Sequence, residues 1–444
     1  DGTHGQELWK SDGTAEGTLM VHDFIPGPGG GAIDQLTSFN DKLYFAGDDG
    51  TTGTELWMTD GTSAGTSLVI NLEPDPNSNG IGGLTVAGNK LIFVASDGTH
   101  GLEPWASDGT AAGTFMLGDL LPGSGDSVYP NTMIALGGKV YFSAGNGSGM
   151  NLQTYATDGT VAGTAALTDL TIAQGGDAGT SQVIVWGNKV LFNANDGTHG
   201  DELWLTDGTA AGTVMMKDLN PGPASSIPGN FKSFGNKVLM LANSNQGQPG
   251  LWVTDGTDAG TLQISNANVD VSYAATATSV MYTAQMDLYV SDGTPAGEQH
   301  LLTSDQTITV LGAANNRFFF LQHDATHGYE VWVSDGTLLG TQLLKDISPG
   351  SDNTGIYWAT EFNGKLLFVA QLTNGNQLWI SDGTTAGTSL VYDFGFGWLQ
   401  SMTVIGSNVW FYGEDNNGAE PWITDGTTAG THRVMDVNPG SASS

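Results

Sequence analysis

Short apolar runs alternate with turn-forming residues from one end of the chain to the other. Gly83 to Val86, Lys90 to Ala95, Glu103 to Ser107 and Thr114 to Leu117 are four such runs in succession, parted by Gly, Asn, Asp and Thr. No stretch keeps the 3.6-residue period of an amphipathic helix, so the pattern predicts strands and tight turns. The second run of each group is apolar without interruption, as in Leu43-Tyr44-Phe45, Leu91-Ile92-Phe93, Val190-Leu191-Phe192 and Leu366-Leu367-Phe368. A strand of that kind is expected to be covered on both faces.

The groups of four runs are copies of one unit. Glu7-Leu8-Trp9-Lys10-Ser11-Asp12-Gly13-Thr14, followed by Gly17-Thr18, recurs along the whole chain at a period of mostly 43 to 50 residues. Its Asp falls at Asp12, Asp60, Asp108, Asp158, Asp207, Asp255, Asp292, Asp335, Asp382 and Asp425. Its aromatic is Trp9, Trp57, Trp105, Trp204, Trp252, Trp332, Trp379 or Trp422, with Tyr155 and Tyr289 in the other two copies. Four short strands per period of this length predict an all-β fold, a β-propeller of four-stranded blades.

On these residues the chain resembles the bacterial ELWxxDGT-repeat proteins, over nearly its whole length. The resemblance implies a secreted or cell-surface module. A looser similarity to the YWTD and Asp-box propeller motifs implies the same fold. Two copies depart from the pattern, at Gln153-Thr154-Tyr155 and Asp287-Leu288-Tyr289, and the stretch from Ser265 to Arg317 is the most degenerate.

Residues 1–444 are expected to form a single propeller domain of nine or ten repeats in one ring. Two smaller propellers or an open array are the alternatives. The first repeat lacks its first two strands. The chain opens at Asp1 without a signal-like segment and is expected to be processed or part of a longer protein.

Within Glu-Leu-Trp the Trp points to one strand face and its neighbours to the other, so the eight Trp are expected to pack blade against blade, each contributing about 2 to 3 kcal/mol. The repeated Asp is expected to hold a turn by accepting backbone N–H groups while the following Gly takes positive φ. A second acceptor lies eleven residues later, at Asp23, Asp119, Asp169, Asp218, Asp346, Asp393 and Asp436, with Asn71, Asn266 and Thr303 as variants. Lys42, Lys90, Lys139, Lys189, Lys237, Lys365 and Arg317 all follow the turn between first and second strands, on the same side as the Asp-Gly-Thr turn.

Composition narrows the chemistry. Asp and Glu number 46 against 12 Lys and Arg, for a net charge of −34. With Arg317 and Arg433 the sole arginines, multi-arginine anion sites are excluded and nucleic acid would be repelled. The absence of cysteine removes thiol nucleophiles, disulfides and thiolate metal sites. No apolar run is long enough for membrane insertion as a helix.

The opposite side of the blades gathers Asp48, Asp49, Glu55, Asp97, Glu103, Asp126, Asp196, Asp201, Glu202, Asp415 and Glu420 with almost no Lys or Arg, and is expected to draw divalent ions or basic partners. Asp75-Pro76-Asn77-Ser78-Asn79-Gly80 has the spacing of the first half of a Ca²⁺ loop, with Val86 where the bidentate Glu would stand. Asp75, Asn77, Asn79, Glu73, Asp48 and Asp49 are therefore the candidate Ca²⁺ ligands. His4, His100, His199 and His327 recur at loop tips of nonadjacent repeats and read as exposed loop residues.

No unique catalytic constellation breaks the repeat, so the chain is expected to be non-enzymatic. The expected function is an extracellular or cell-surface structural or adhesion module, calcium-stabilised and self-assembling through a terminal strand edge. The alternatives are a carbohydrate-binding, lectin-like propeller presenting Tyr129, Tyr357 and Trp398 to glycans and, behind it, a glycosidase or lyase.

Overall fold

A computed structural model of the chain describes residues 1–75, 80–128, 133–145, 152–171, 183–244, 249–415 and 418–439. The fold is all-β and is built of propeller blades, each complete one an antiparallel meander of four strands. Among the described residues no helix is long and apolar enough to cross a membrane. Contacts divide the chain into two compact units, residues 2–12 with 16–229 and residues 13–15 with 230–444, the latter including Asp1.

The N-terminal unit begins with a two-stranded sheet, β1 (Leu8–Lys10) and β2 (Leu19–His22), the third and fourth strands of a blade. Full blades follow, β3 (Asp34–Phe39) to β6 (Ser67–Ile70) and β7 (Ile81–Ala87) to β10 (Phe115–Met116). Two further blades, β11 (Ile134–Leu136) to β14 (Ala165–Thr171) and β15 (Val183–Trp186) to β18 (Val214–Lys217), join into one eight-stranded sheet through the pairing of Thr171 with Asn195. In the C-terminal unit the blades run β19 (Gly229–Phe234) to β22 (Leu262–Ser265), β23 (Val269–Ala275) to β26 (Gln299–Thr303), β27 (Thr309–Ala314) to β30 (Gln342–Lys345), β31 (Gly355–Phe362) to β34 (Ser389–Asp393) and β35 (Leu399–Ile405) to β38 (His432–Arg433).

The blade between β3 and β6 shows how the sequence builds this plan. Asn40 and Asp41 take positive φ of 49° and 59°, the backbone of a tight hairpin whose twist matches its strands. The second strand, β4 (Lys42–Asp48), lies between two neighbours and buries Phe45 completely. Phe45 faces Trp57 of β5 (Thr54–Thr59) across the ladder. Leu56 then pairs Ile70 while Trp57 pairs Leu68, so Val69 is an extra residue that bulges β6 and adds to the blade's twist.

Successive blades within each unit pack face to face through these residues. Trp105 closes a cluster with Phe39, Tyr44 and Leu56 of the preceding blade, and Trp379 does so with Phe319, Val331 and Val333. Trp57, Trp105, Trp204, Trp252, Trp379 and Trp422 are buried, whereas Trp9 and Trp332 keep part of their surface in solvent.

Candidate functional site

Every blade has two polar ends. One carries the turn between first and second strands and the Asp-Gly-Thr turn between third and fourth; the other carries the loop between second and third strands and the connection to the next blade.

At the first end the polar groups serve one another. Asp60 Oδ1 accepts the Thr62 N–H at 2.9 Å and its hydroxyl at 2.7 Å. Thr62 Oγ1 accepts the Gly65 N–H at 3.0 Å, and Thr59 Oγ1 accepts that of Gly61 at 2.9 Å while pairing with Thr66 Oγ1 at 2.7 Å. The carboxylate packs over Gly65 so closely that a Cβ there would stand 2.1 Å from Asp60 Oδ1. The bonds from Thr to the Asp recur at Asp108, Asp158, Asp207, Asp255, Asp292, Asp335, Asp382 and Asp425. At Asp12 the matching contacts are the Ser11–Thr18 hydroxyl pair at 2.6 Å and the packing over Gly17.

Hydrogen bonds from the Thr hydroxyl and N–H hold Asp335 and Asp382 below the usual carboxylate range, and the nearby charges of Arg317 and Lys365 add to the effect. Lys139 lies at the same end and donates to the Gly208 carbonyl at 3.0 Å. Charge at this end is thus matched by the cations of the first hairpin turn.

The opposite end differs from the sequence expectation in one respect. Glu55, Glu103, Glu202 and Glu420, assigned above to an ion-attracting surface, are completely buried, as is Glu330. Their carboxylates brace the connection to the next blade. Glu330 accepts the N–H groups of Ile347 at 3.1 Å and Ser348 at 2.8 Å and the Thr354 hydroxyl at 2.7 Å. Glu55 takes Leu72 and Glu73, Glu103 takes Leu120 and Ser127, Glu202 takes Leu219 and Ser226, and Glu420 takes Val437. Burial raises the carboxyls of Glu55, Glu103, Glu202 and Glu330 above their ordinary range, against the pull of these donors. The available signal was a Glu two residues before Trp in six of the ten copies, with Ser or Thr 24 residues after Glu103, Glu202, Glu330 and Glu420; alternation places that Glu on the Trp face of the strand but does not supply the donors that allow a carboxylate to be buried there.

The remaining carboxylates lie in the loops. Asp48 Oδ1 accepts Gly50 N–H at 2.7 Å, and Asp49 Oδ1 accepts the N–H groups of Thr51 and Thr52, both at 2.9 Å. His100, His199 and His327 each bond the Asp three residues earlier, Asp97 at 2.8 Å, Asp196 at 2.7 Å and Asp324 at 2.9 Å. That bond raises each histidine above its ordinary value, opposed by slight desolvation and aided by the charges of Asp119 and Glu103, Asp218 and Glu202, or Asp346 and Glu330. Asp23, Asp119, Asp218, Asp346 and Asp436 each turn one carboxylate oxygen inward without a hydrogen-bond partner.

Of the proposed Ca²⁺ loop, Asn77 and Asn79 lie outside the described residues, as does Tyr129. The Asp75 N–H donates to the Glu73 carbonyl at 2.7 Å, and the Glu73 side chain lies against Gly98. Among the described residues no group of three or more His, Asp and Glu side chains converges as metal ligands.

The connection after β34 also departs from the repeat. After β34 the chain reads Asp393-Phe394-Gly395-Phe396-Gly397-Trp398, where the connection after β30 reads Asp346-Ile347-Ser348-Pro349-Gly350. The brace position holds Gln377, whose Nε2 donates to Asp393 Oδ2 at 2.9 Å. Asn376 instead fastens the connection, accepting Phe394 N–H at 2.9 Å and donating its Nδ2 to Gly397 O at 2.8 Å. A cavity of about 620 Å³ opens here, lined by Tyr392, Asp393, Phe394, Phe396, Glu414 and Asp415.

No protein-family model matches the sequence, and no curated protein matches it. Solved structures similar to it include one of prolyl endopeptidases, at 12% identity over 69% of this chain and 49% of that one, TM-score 0.38. Another is puromycin hydrolase, at 15% identity over 82% and 54%, TM-score 0.35. A third is the β-propeller domain of the Trilobed protease from Pyrococcus furiosus, at 13% identity over 70% and 99%, TM-score 0.36, described as having an open velcro topology. The chain spans about half the length of the first two. The likeness is one of fold.

The expected adhesion or structural module with its lectin-like alternative is not what these neighbours are described as: they are named as prolyl endopeptidases, a hydrolase and the propeller domain of a protease, and at this identity they bear on the fold alone. The acidic surface on which that expectation stood is also smaller than the sequence implies, because its Glu residues are buried in bonds to their own backbone, which leaves the exposed acid to the loop Asp residues.

Proposed function

We propose that this chain is the propeller part of a peptidase-like protein, and that it receives basic polypeptide segments at the loop ends of its blades without itself cleaving bonds. The observation that carries the reading is the unequal distribution of charge along each blade. Lys and Arg of the hairpin turns neighbour the Asp-Gly-Thr carboxylates at one end, as Lys90 does Asp108 and Arg317 does Asp335. At the other end Asp126, Asp352 and Asp393 are exposed, and the cations near their kind are histidines and Arg433, which lies 3.7 Å from Asp415. A surface with that imbalance attracts positive chains over a Debye length of roughly 8 Å at physiological salt.

Calorimetric titration of the full chain with a lysine-rich peptide and with a glutamate-rich peptide of equal length tests it. Saturable binding of the first alone, weakening as salt rises, is expected. Equal behaviour of the two peptides, or no binding of either at low salt, overturns it.

A further inference from the structure

The connection between β34 and β35 replaces a Pro-Gly turn by two exposed aromatics, and nothing in blade packing accounts for them. Phe394 is accounted for: it is buried, with its ring 4.9 Å from Trp422 and 5.9 Å from Phe411. Phe24 repeats that arrangement in the N-terminal unit, 5.0 Å from Trp57 and 5.8 Å from Phe45. Among the described residues Phe396 has no such partner ring, and it is 84% exposed. Trp398 is 38% exposed, its ring 5.9 Å from Tyr412. Leaving a Phe in water forgoes about 2 to 3 kcal/mol of burial, which an occupant beside it would recover.

The cavity beside Phe396 joins aromatic side chains to carboxylates. Asp393 is oriented by the Gly395 N–H on one oxygen at 2.9 Å and by Gln377 on the other at 2.9 Å, both neutral donors that leave its charge uncancelled. Glu414 lines the same space, its N–H held by the Trp398 carbonyl at 2.9 Å. Arg433 draws on Asp415 at 3.7 Å and Asp436 at 3.5 Å, and not on Asp393 or Glu414. Aromatic rings and anionic oxygens around one space favour a cation: the quadrupole of Phe or Tyr attracts it over the ring face and the carboxylates bond it. Neutral sugars gain from the rings alone, and anions are repelled.

We infer that the cavity formed by Tyr392, Asp393, Phe396 and Glu414 is a binding site for a Lys or Arg side chain presented by a polypeptide. This rests on the reading of the chain as a receiver of basic segments, and gives that reading a specific anchor. The replacement of the brace Glu by Gln377 is part of the site. With Glu there, a third carboxylate would lie against Asp393; with Gln, Asp393 is held in place by a donor.

The test uses the full chain and its Phe396→Ala and Glu414→Gln variants, with unchanged circular dichroism and melting confirming the fold. The probes are the lysine-rich peptide and methylguanidinium, followed by calorimetry and by Trp fluorescence. About a tenfold weaker peptide affinity in each variant, with loss of the methylguanidinium-induced fluorescence change, is expected. Peptide binding that is equal in the parent and both variants overturns the site while the broader reading stands. If the peptide fails to bind the parent, the broader reading falls; methylguanidinium binding lost in Phe396→Ala then still supports a cation site, and its absence overturns the site too. Displacement of methylguanidinium by neutral maltohexaose overturns the commitment to a cation.

Discussion

The connections that follow β30 and β34 begin from the same blade plan and end with different surfaces. After β30, Glu330 is spent on the backbone of Ile347 and Ser348 and on the Thr354 hydroxyl, so the loop is bound to its own blade and its acid is hidden. After β34, Gln377 and Asn376 take over the fastening with neutral amides, and the acid of the region remains on Asp393 and Glu414 beside exposed aromatics. A repeat can therefore be turned from scaffold to surface by removing the negative charge of the buried brace and leaving the acid of the region on the cavity wall.

The largest effect is expected from removing the brace. Glu330→Ala leaves two buried N–H groups and a buried hydroxyl without their acceptor, at a cost of about 3 kcal/mol, read as a lower midpoint in urea unfolding. The equivalent change at the other connection, Gln377→Ala, is expected to cost about 1 kcal/mol, because Asn376 holds Phe394 through its backbone carbonyl. Equal costs at the two sites would break the comparison.

Next in size is Gly340→Ala, which places a methyl 2.0 Å from Asp335 Oδ1 and forces the Asp-Gly-Thr turn to open, for about 2 kcal/mol. Asp335→Ala in the same turn loses the bonds to Thr337 and is expected to cost about 1 kcal/mol in thermal unfolding. A glycine substitution cheaper than the Asp removal would show that the turn is held by something other than this carboxylate.

The smallest effect is a pH dependence that belongs to the braced blades. His327 is raised above 6.5 by its bond to Asp324, so its contribution is fully present below pH 6.5 and is lost as pH rises through the raised value. Asp324, where partial burial is outweighed by the bonds from His327 and the loop N–H groups, is lowered; its contribution is lost as pH falls through that lowered value. The pair is charged on both sides between those limits. NMR titration is expected to give His327 a midpoint above 6.5 that returns toward 6.5 in Asp324→Asn, and an unmoved midpoint would refute the pairing.

Much of this architecture is legible in the residues. The strand runs around Lys90 to Ala95 and Glu103 to Ser107 coincide with β8 (Lys90–Ala95) and β9 (Glu103–Ser107), and the half-blade at the start of the chain follows from the repeat alone. Less legible is the candidate site. Trp398 stands out as an aromatic outside the block, but Phe396 lies in the connection after β34 and Glu414 in β36 (Asn408–Asp415), and only the pairing of β35 with β36 brings them to one cavity.

The sequence by itself determined the Asp-Gly-Thr turns, the hairpins and the apolar second strands. Each is closed by bonds or burial among residues a few positions apart, so type and spacing are enough. The tertiary structure alone decided which carboxylates face water. Glu330 finds its partners 17, 18 and 24 residues onward, across the connection to another blade. Its burial depends on that backbone folding back to supply donors, and an acid whose donors come from distant backbone reads in sequence as an acid in solvent.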